Sequence, residues 1–156
     1  MPSSAPPTVS VSVAVTDTVT VAVAVAQPIC AEPGCPDTVS VNVERHAEAV
    51  REAGARLVVF RELSLTGYDL AAPALDPADP RLAPLVEACA ATGALALVGA
   101  PVAEADGSES IATLAVTGEG ATVAYRKMRL HGAECDRFAR GEVVRAELSR
   151  TEPARP

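Results

Sequence analysis

Apolar residues recur at two different spacings along the first part of the chain, and each spacing predicts a different element. Valine alternates with serine, threonine or alanine from Val9 to Ala26, a period of two that is typical of a β-strand. Residues 16–18 interrupt the alternation. The half from Val19 onward is the better candidate for a first strand, because alanine alternating with valine suits a strand buried on both faces.

The next segment changes from strand to helical periodicity. After Asp37 and Thr38, either of which can cap a helix, apolar residues recur at helical spacing as far as Gly54, and charged residues occupy the other side. The short apolar run at 57–60 then predicts a buried parallel strand. Residues 19–60 are therefore interpreted as a β-α-β unit.

The second half of the chain continues the α/β pattern. A second helix is predicted from Asp79 to Gly93, and a buried strand over residues 95–102. Two further apolar stretches, 111–116 and 122–125, flank a Thr-Gly-Glu-Gly turn that is typical of a β-hairpin. We predict three regions: a disordered or low-complexity lead-in at 1–18, a domain at 19–145 and a tail at 146–156.

Composition narrows the possible functions. The formal net charge of -7 and the pI near 4.8 exclude the basic groove of a nucleic-acid binder. No lysine or arginine precedes Arg45 and no apolar run is long enough to span a bilayer, so neither an export signal nor a membrane partner is expected. We expect a cytoplasmic protein.

The cysteines and histidines do not form a recognisable metal-binding pattern. Cys30, Cys35, Cys89 and Cys135 have the spacing of neither a zinc knuckle nor a redox Cys-x-x-Cys. Four free thiols are expected, with no metal and no cofactor. His46 lies beside the apolar stripe of the first predicted helix, where we expect a packed or half-exposed side chain.

Three short segments carry the strongest functional signal: LVVFRELSLTGY at 57–68, VGAPV at 98–102 and YRKMRL at 125–130. In order and spacing they resemble the N-terminal part of the carbon-nitrogen hydrolase (nitrilase) superfamily. The resemblance extends over about residues 19–142. It implies an α/β fold, an incomplete form of the family's α-β-β-α sandwich, with one sheet face uncovered.

The resemblance also implies the site residues. Glu62 would be the general base, Lys127 the cation facing a tetrahedral oxyanion, and Glu134 a group that orients the lysine or the substrate. A cysteine would be the nucleophile, attacking a small-molecule amide or nitrile. Lys127 is the only lysine beside twelve arginines, and an ammonium is more compact than a guanidinium.

Several departures from the family pattern concern turnover. The nucleophile normally follows the lysine by a few dozen residues, but Cys135 is the only later cysteine and lies in an acidic loop. We therefore expect a truncated chain that is inactive by itself. Arg61 replaces a proline and is expected to pair with Glu62, weakening it as a base, and Arg129 replaces a histidine.

Two functional hypotheses remain open at this point. One is an amidase or nitrilase-type enzyme, or its N-terminal part, that receives its cysteine from further sequence or from a partner chain. The other is a non-catalytic remnant or binding subunit with the same partial fold. Self-association and completion by another polypeptide both remain open as ways to cover the sheet.

Overall fold

The computed structural model describes residues 20–31 and 35–142. The predicted lead-in at 1–18 and the predicted tail at 146–156 lie outside the described residues, as does the first half of the valine alternation. None of the helices in the described part of the chain is long and apolar enough to cross a membrane.

Within the described ranges, five strands form one mixed sheet in the order β1-β2-β3-β4-β5. β1, β2 and β3 are parallel, and β4 and β5 are each antiparallel to the strand before them. The carboxyl ends of β2, β3 and β5 therefore lie at the same edge of the sheet. The strands are β1 Val23–Ala26, β2 Leu57–Phe60, β3 Leu95–Ala103, β4 Glu109–Thr117 and β5 Gly120–Arg126.

The first helix, α1, has the bounds that the sequence predicts, Thr38–Ala53. The Asp37 side chain accepts a hydrogen bond from the backbone N–H of Ser40 at 3.1 Å, which satisfies one of the free donors of the first turn. Gly54 ends the helix in the left-handed conformation, with φ 58°. The predicted β-α-β unit is confirmed, since β1 and β2 are parallel neighbours on either side of α1 in the sequence.

The second predicted helix is divided into two parts. Residues Pro80–Leu82 form a 3-10 turn and α2 itself runs over Ala83–Thr92. Pro84 has no N–H to donate to the carbonyl of Pro80, and Ala83 donates to that carbonyl instead. The Pro80 carbonyl is thus bonded by the residue three positions later, as in a 3-10 helix, and not by the residue four positions later, as in an α-helix.

Both helices pack against the same face of the sheet. The main apolar core joins Val43 and Val50 of α1 and Leu85 of α2 to strand residues such as Val58 and Val98. Successive strand residues point to opposite faces, so the alternate positions form the other face. We call that second face the open face, because neither α1 nor α2 packs on it.

One row of the open face shows its character. Val25, Val59, Leu97, Ala115 and Thr122 lie side by side across all five strands, and none carries a charge. Val25 is 77% exposed and its neighbour in the sequence two residues before, Val23, is 56% exposed. The prediction of a first strand buried on both faces is wrong, because among the described residues β1 is an edge strand and its valines on the open face are exposed.

The first strand is also shorter than predicted. It begins at Val23, and the described residues 20–22 before it are not part of the strand, because its partner β2 supplies only four paired residues. The strand β3 and the hairpin β4–β5 are confirmed, each a little longer than its apolar run. A strand is defined by its ladder of hydrogen bonds, so its length depends on the partner as much as on its own periodicity.

A second, smaller cluster covers the open face near the carboxyl end of the sheet. It consists of Leu63, Ile111, Leu130 and Phe138. Ile111 shares the open face with Thr113, and the segment after β5 folds back over it. This cluster fixes the loops that carry the predicted site residues.

Candidate active site

Glu62 follows β2 at the carboxyl edge of the sheet and is held by a tight turn. Leu63 is fully buried and takes the left-handed conformation, with φ 52°. Its carbonyl accepts hydrogen bonds from Thr66 N at 3.2 Å and Tyr68 N at 3.0 Å. The backbone on the carboxyl side of Glu62 is therefore fixed.

Lys127 directly follows β5 and reaches the same edge of the sheet. Its N–H donates to the carbonyl of Ile111 at 2.8 Å and its carbonyl accepts from Gly141 N at 3.0 Å. Since β5 runs parallel to β2, its carboxyl end lies at the edge where β2 ends. This topology places a residue 65 positions after Glu62 beside it.

The Lys127 ammonium lies between two carboxylates. Its Nζ donates to Glu62 Oε1 and to Glu134 Oε1, both at 2.8 Å. Burial lowers the pKa of Lys127, but the hydrogen bonds to Glu134 and Glu62 outweigh burial and hold the pKa above its ordinary value. The lysine is therefore a fixed positive charge at neutral pH and a poor proton donor.

The two carboxylates have different surroundings. The Glu134 side chain is 7% exposed, and its second oxygen accepts a hydrogen bond from the backbone N–H of His131 at 3.0 Å. The Lys127 hydrogen bond, against the opposing effect of burial, lowers the pKa of Glu134 below its ordinary value. Glu134 is thus a fully engaged, ionised anchor for Lys127.

Glu62, in contrast, keeps one oxygen available. Its side chain is 37% exposed, and among the described residues Lys127 alone donates to it. A carboxylate with a free, solvent-facing oxygen can take a proton from a neighbouring group, whereas one with both oxygens engaged cannot do so readily. Of the two, Glu62 has the geometry of a base.

The three predicted site residues are thus brought together, whereas the cysteines are not. All four cysteines lie in the described part and are free, and none hydrogen-bonds to Glu62 or Lys127. Cys89 is in the main core and Cys135 is exposed. No group of three or more potential ligands that could hold a metal occurs in the described ranges.

The expected pairing of Arg61 with Glu62 is not found. The guanidinium of Arg61 donates to Cys30 Sγ at 3.0 Å, while Glu62 pairs with Lys127. Successive residues at the end of β2 point to opposite sides, which separates the two charged groups. Arg61 therefore does not compete with Lys127 for the carboxylate.

His46 has the packed side chain that was one of the two alternatives expected from the sequence. The side chain is fully buried and stacks on Phe60 with ring centroids 4.2 Å apart, and its Nδ1 lies 2.6 Å from the carbonyl of Asn42. That contact requires the proton on Nδ1, so Nε2 has the lone pair and has no partner. Burial lowers the pKa of His46 to about 4.

We call residues 61–68 the Glu62 turn. Sequence reasoning missed a contact between two residues that holds this turn against β3. The hydroxyl of Ser64 accepts a hydrogen bond from Gly99 N at 3.3 Å, and both residues are buried. Ser64 and Gly99 belong to two of the motifs that carry the resemblance, but their contact is between distant segments. The sequence shows which residue types stand at these two positions, but it does not show that the two residues form a hydrogen bond with each other.

Comparison with known proteins identifies the family. Residues 20–151 match the profile described as carbon-nitrogen hydrolase. This chain belongs to the carbon-nitrogen hydrolase family. The family's activity is hydrolysis of carbon–nitrogen bonds, and the predicted resemblance and α/β fold class are confirmed. No curated protein sequence is significantly similar to this chain.

Solved structures of other proteins share the fold, among them an amidase and a synthetase. A crystal structure of an N-terminal amidase with one cysteine-to-serine substitution aligns at TM-score 0.59 and 20% identity, over 78% of this chain and 31% of that one. A glutamine-dependent NAD(+) synthetase from Cytophaga hutchinsonii aligns at TM-score 0.51 and 21% identity, over 67% and 20%. This chain therefore spans about a third of the first protein and about a fifth of the second.

Proposed function

We propose that this chain supplies the base and the oxyanion-stabilising cation for hydrolysis of a carbon–nitrogen bond in a small, non-peptide amide or nitrile. The observation that carries the proposal is the position of Lys127 Nζ, 2.8 Å from both Glu62 and Glu134. The amidase among the similar folds supports an amide as the first substrate class to test.

In the proposed reaction Glu62 moves the protons. Its free carboxylate oxygen takes the proton of a cysteine thiol, and the thiolate attacks the amide carbon. Lys127 faces the oxygen that becomes negative, and its fixed charge stabilises that tetrahedral intermediate. Glu62 then protonates the leaving amine, the carbon–nitrogen bond breaks, and a thioester remains.

The second half of the proposed reaction uses the same carboxylate. Glu62 removes a proton from water, which attacks the thioester, and the thiolate leaves and regains its proton. Glu134 touches no reacting atom in this scheme. It is a positioning residue that keeps Lys127 charged and in place, because its own two oxygens are engaged by Lys127 and His131.

The thiol in this scheme is not one of the four cysteines in their described positions. None of them hydrogen-bonds to Glu62 or Lys127. We therefore propose that the nucleophile comes from further polypeptide or from a partner chain. The same observation favours a second candidate function, a non-catalytic subunit that binds ligands or a related chain.

Ammonia release from a panel of small amides and nitriles tests the proposal. Full-length chain, Glu62→Gln and Lys127→Ala are compared, each alone and after addition of a candidate completing chain. The matched control is Glu119→Gln, an acid in the β4–β5 turn.

The hydrolase is supported if ammonia is released and the release is abolished by Glu62→Gln, by Lys127→Ala or by thiol alkylation. Glu119→Gln should leave the release unchanged. Release that survives Glu62→Gln contradicts the proposed base. Amide binding by calorimetry without ammonia release, with or without the completing chain, favours the binding subunit.

A further inference from the structure

The missing side chain of Gly99 makes room for the backbone that carries Glu62. A methyl group built on Gly99 would lie 2.7 Å from the carbonyl oxygen of Arg61 and 2.8 Å from the carbonyl carbon of Glu62, and closer still to Leu63 N. Contacts this short do not occur between real atoms of these types, and all three atoms belong to backbone. Only glycine allows the turn to lie against β3 at this point.

The direction of the contact shows how the chain crosses the sheet. Gly99 lies two residues after Leu97 in β3, so the space beside it opens on the open face. The chain leaving β2 therefore passes over β3 on that face, toward the carboxyl end of β5, which Lys127 directly follows. Glu62 lies at the point of crossing.

A hydrogen bond to β3 also holds the chain just after Glu62 in place. β2 ends at Phe60 and its pairing with β3 stops at Leu97, so the N–H of Gly99 has no strand partner in β2. The Ser64 hydroxyl takes that place, accepting from Gly99 N at 3.3 Å. The Glu62 turn is thus in contact with β3 before and after the glutamate.

We propose that Gly99 is a positioning residue for Glu62: the absence of its side chain sets how far the Glu62 carboxylate reaches toward Lys127. Its importance for catalysis rests on the proposed function, but its effect on the Glu62–Lys127 contact does not require turnover. Any group larger than hydrogen at this place pushes the turn away from β3 and lengthens that contact. The contact of Glu134 with Lys127 is made from a different segment and is unaffected.

The only lysine of the chain provides the measurement. The acylation rate of the Lys127 amine at pH 8, read by mass spectrometry on the peptide containing it, reports how strongly the carboxylates hold its proton. In Gly99→Ala we expect the rate to rise about tenfold, the change that corresponds to one pKa unit. Glu62→Gln should have a similar effect.

Double variants separate positioning from general loosening. Gly99→Ala added to Glu62→Gln should give no further increase, because the contact that Gly99 controls is already gone. Gly99→Ala added to Glu134→Gln should multiply the rate again by about ten. An increase of the same size in both backgrounds overturns the proposal, as does no increase in Gly99→Ala alone.

Gly118 offers a matched control. A methyl group there would lie 2.8 Å from the Cα of Ala90 on α2, an equally severe contact outside the site. Gly118→Ala should leave Lys127 acylation unchanged, and an increase equal to that of Gly99→Ala overturns the proposal.

If Gly99→Ala does not fold, Ser64→Ala decides the question, because it removes the hydroxyl and adds no atoms. A smaller increase in acylation that is absent in the Glu62→Gln background supports positioning, and an unchanged rate overturns it. Failure of the ammonia assay with these acylation results intact would reject the proposed function and leave the positioning role standing.

Discussion

At the scale of single residues, two carboxylates that bind the same ammonium are not equivalent. Glu134 is buried and uses both oxygens, whereas Glu62 is partly exposed and uses one. Isosteric substitution distinguishes these two environments, since a glutamine offers one acceptor and one donor group where a carboxylate offers two acceptors.

Glu134→Gln should therefore destabilise the protein more than Glu62→Gln. In the first variant the amide NH2 group must face either Lys127 or the N–H of His131, a donor against a donor, which costs about 1–3 kcal/mol. In the second variant the amide oxygen can face Lys127 and the NH2 group can face water. Urea unfolding at pH 7 measures both, and equal losses would contradict the division of roles.

His46 should make stability depend on pH below neutrality. Burial lowers its pKa from 6.5 to about 4, helped by Arg61 and opposed by the hydrogen bond to Asn42. Between these values the unfolded chain binds the proton and the folded chain does not. The contribution of neutral His46 is therefore fully present above pH 6.5 and is lost as the pH falls toward 4, on the order of 3 kcal/mol in all.

Comparison of unfolding at pH 7 and pH 4.5 checks this, with His46→Phe as the reference. Phenylalanine keeps a ring on Phe60 and takes no proton. The wild type should lose more stability than the variant over this range. Identical pH dependence of the two proteins would show that His46 does not titrate as described.

At the scale of elements, the helix ends are determined by single residues. Gly54 has φ 58° and nothing within 4 Å of the place where a Cβ would stand, so any cost of substitution there is backbone strain. The same turn joins α1 to β2 and sets where β2, the strand that precedes Glu62, begins. Its conformation is thus connected to the site through β2.

Gly54→Ala should destabilise the protein by about 1 kcal/mol, because alanine has a Cβ that the left-handed conformation disfavours. Gly54→Asn is the control, since asparagine adopts this conformation more readily, and it should cost less. Thermal unfolding of both variants makes the measurement. A larger loss for asparagine than for alanine would contradict strain as the cause.

At the scale of the whole molecule, the open face is the main uncovered apolar surface of the described residues. Its uncharged row includes Val59 and Leu97, which are half-buried, and Val25, which is 77% exposed. Contiguous apolar surface of this kind is typical of an interface with another sheet or another protein. Association or completion by another polypeptide would remove it from water.

We expect the isolated chain to associate in a concentration-dependent way, and Leu97→Lys to weaken that association. The lysine would place a charge in the middle of the open face without touching the core under the helices. Glu87→Lys, on the exposed side of α2, is the control and should leave association unchanged. Sedimentation over a range of concentrations measures this, and a monomer at every concentration would contradict it.

The sequence by itself determined the elements whose signals are local. α1 is bounded by Asp37 and Gly54, and the hairpin β4–β5 by its glycine turn, because caps and turns act within a few residues. Glu62, Lys127 and Glu134 could be named as candidates because their motifs are recognisable from residue types and from their order and spacing along the chain.

Only the tertiary structure decided how those residues act on each other. β1 is shorter and more exposed than its valine alternation suggests, because pairing and cover come from other segments. The division of roles between Glu62 and Glu134, and the space that Gly99 leaves for the Glu62 turn, depend on atoms far apart in sequence. Burial and contact between distant segments are properties of the packed chain, and local periodicity does not encode them.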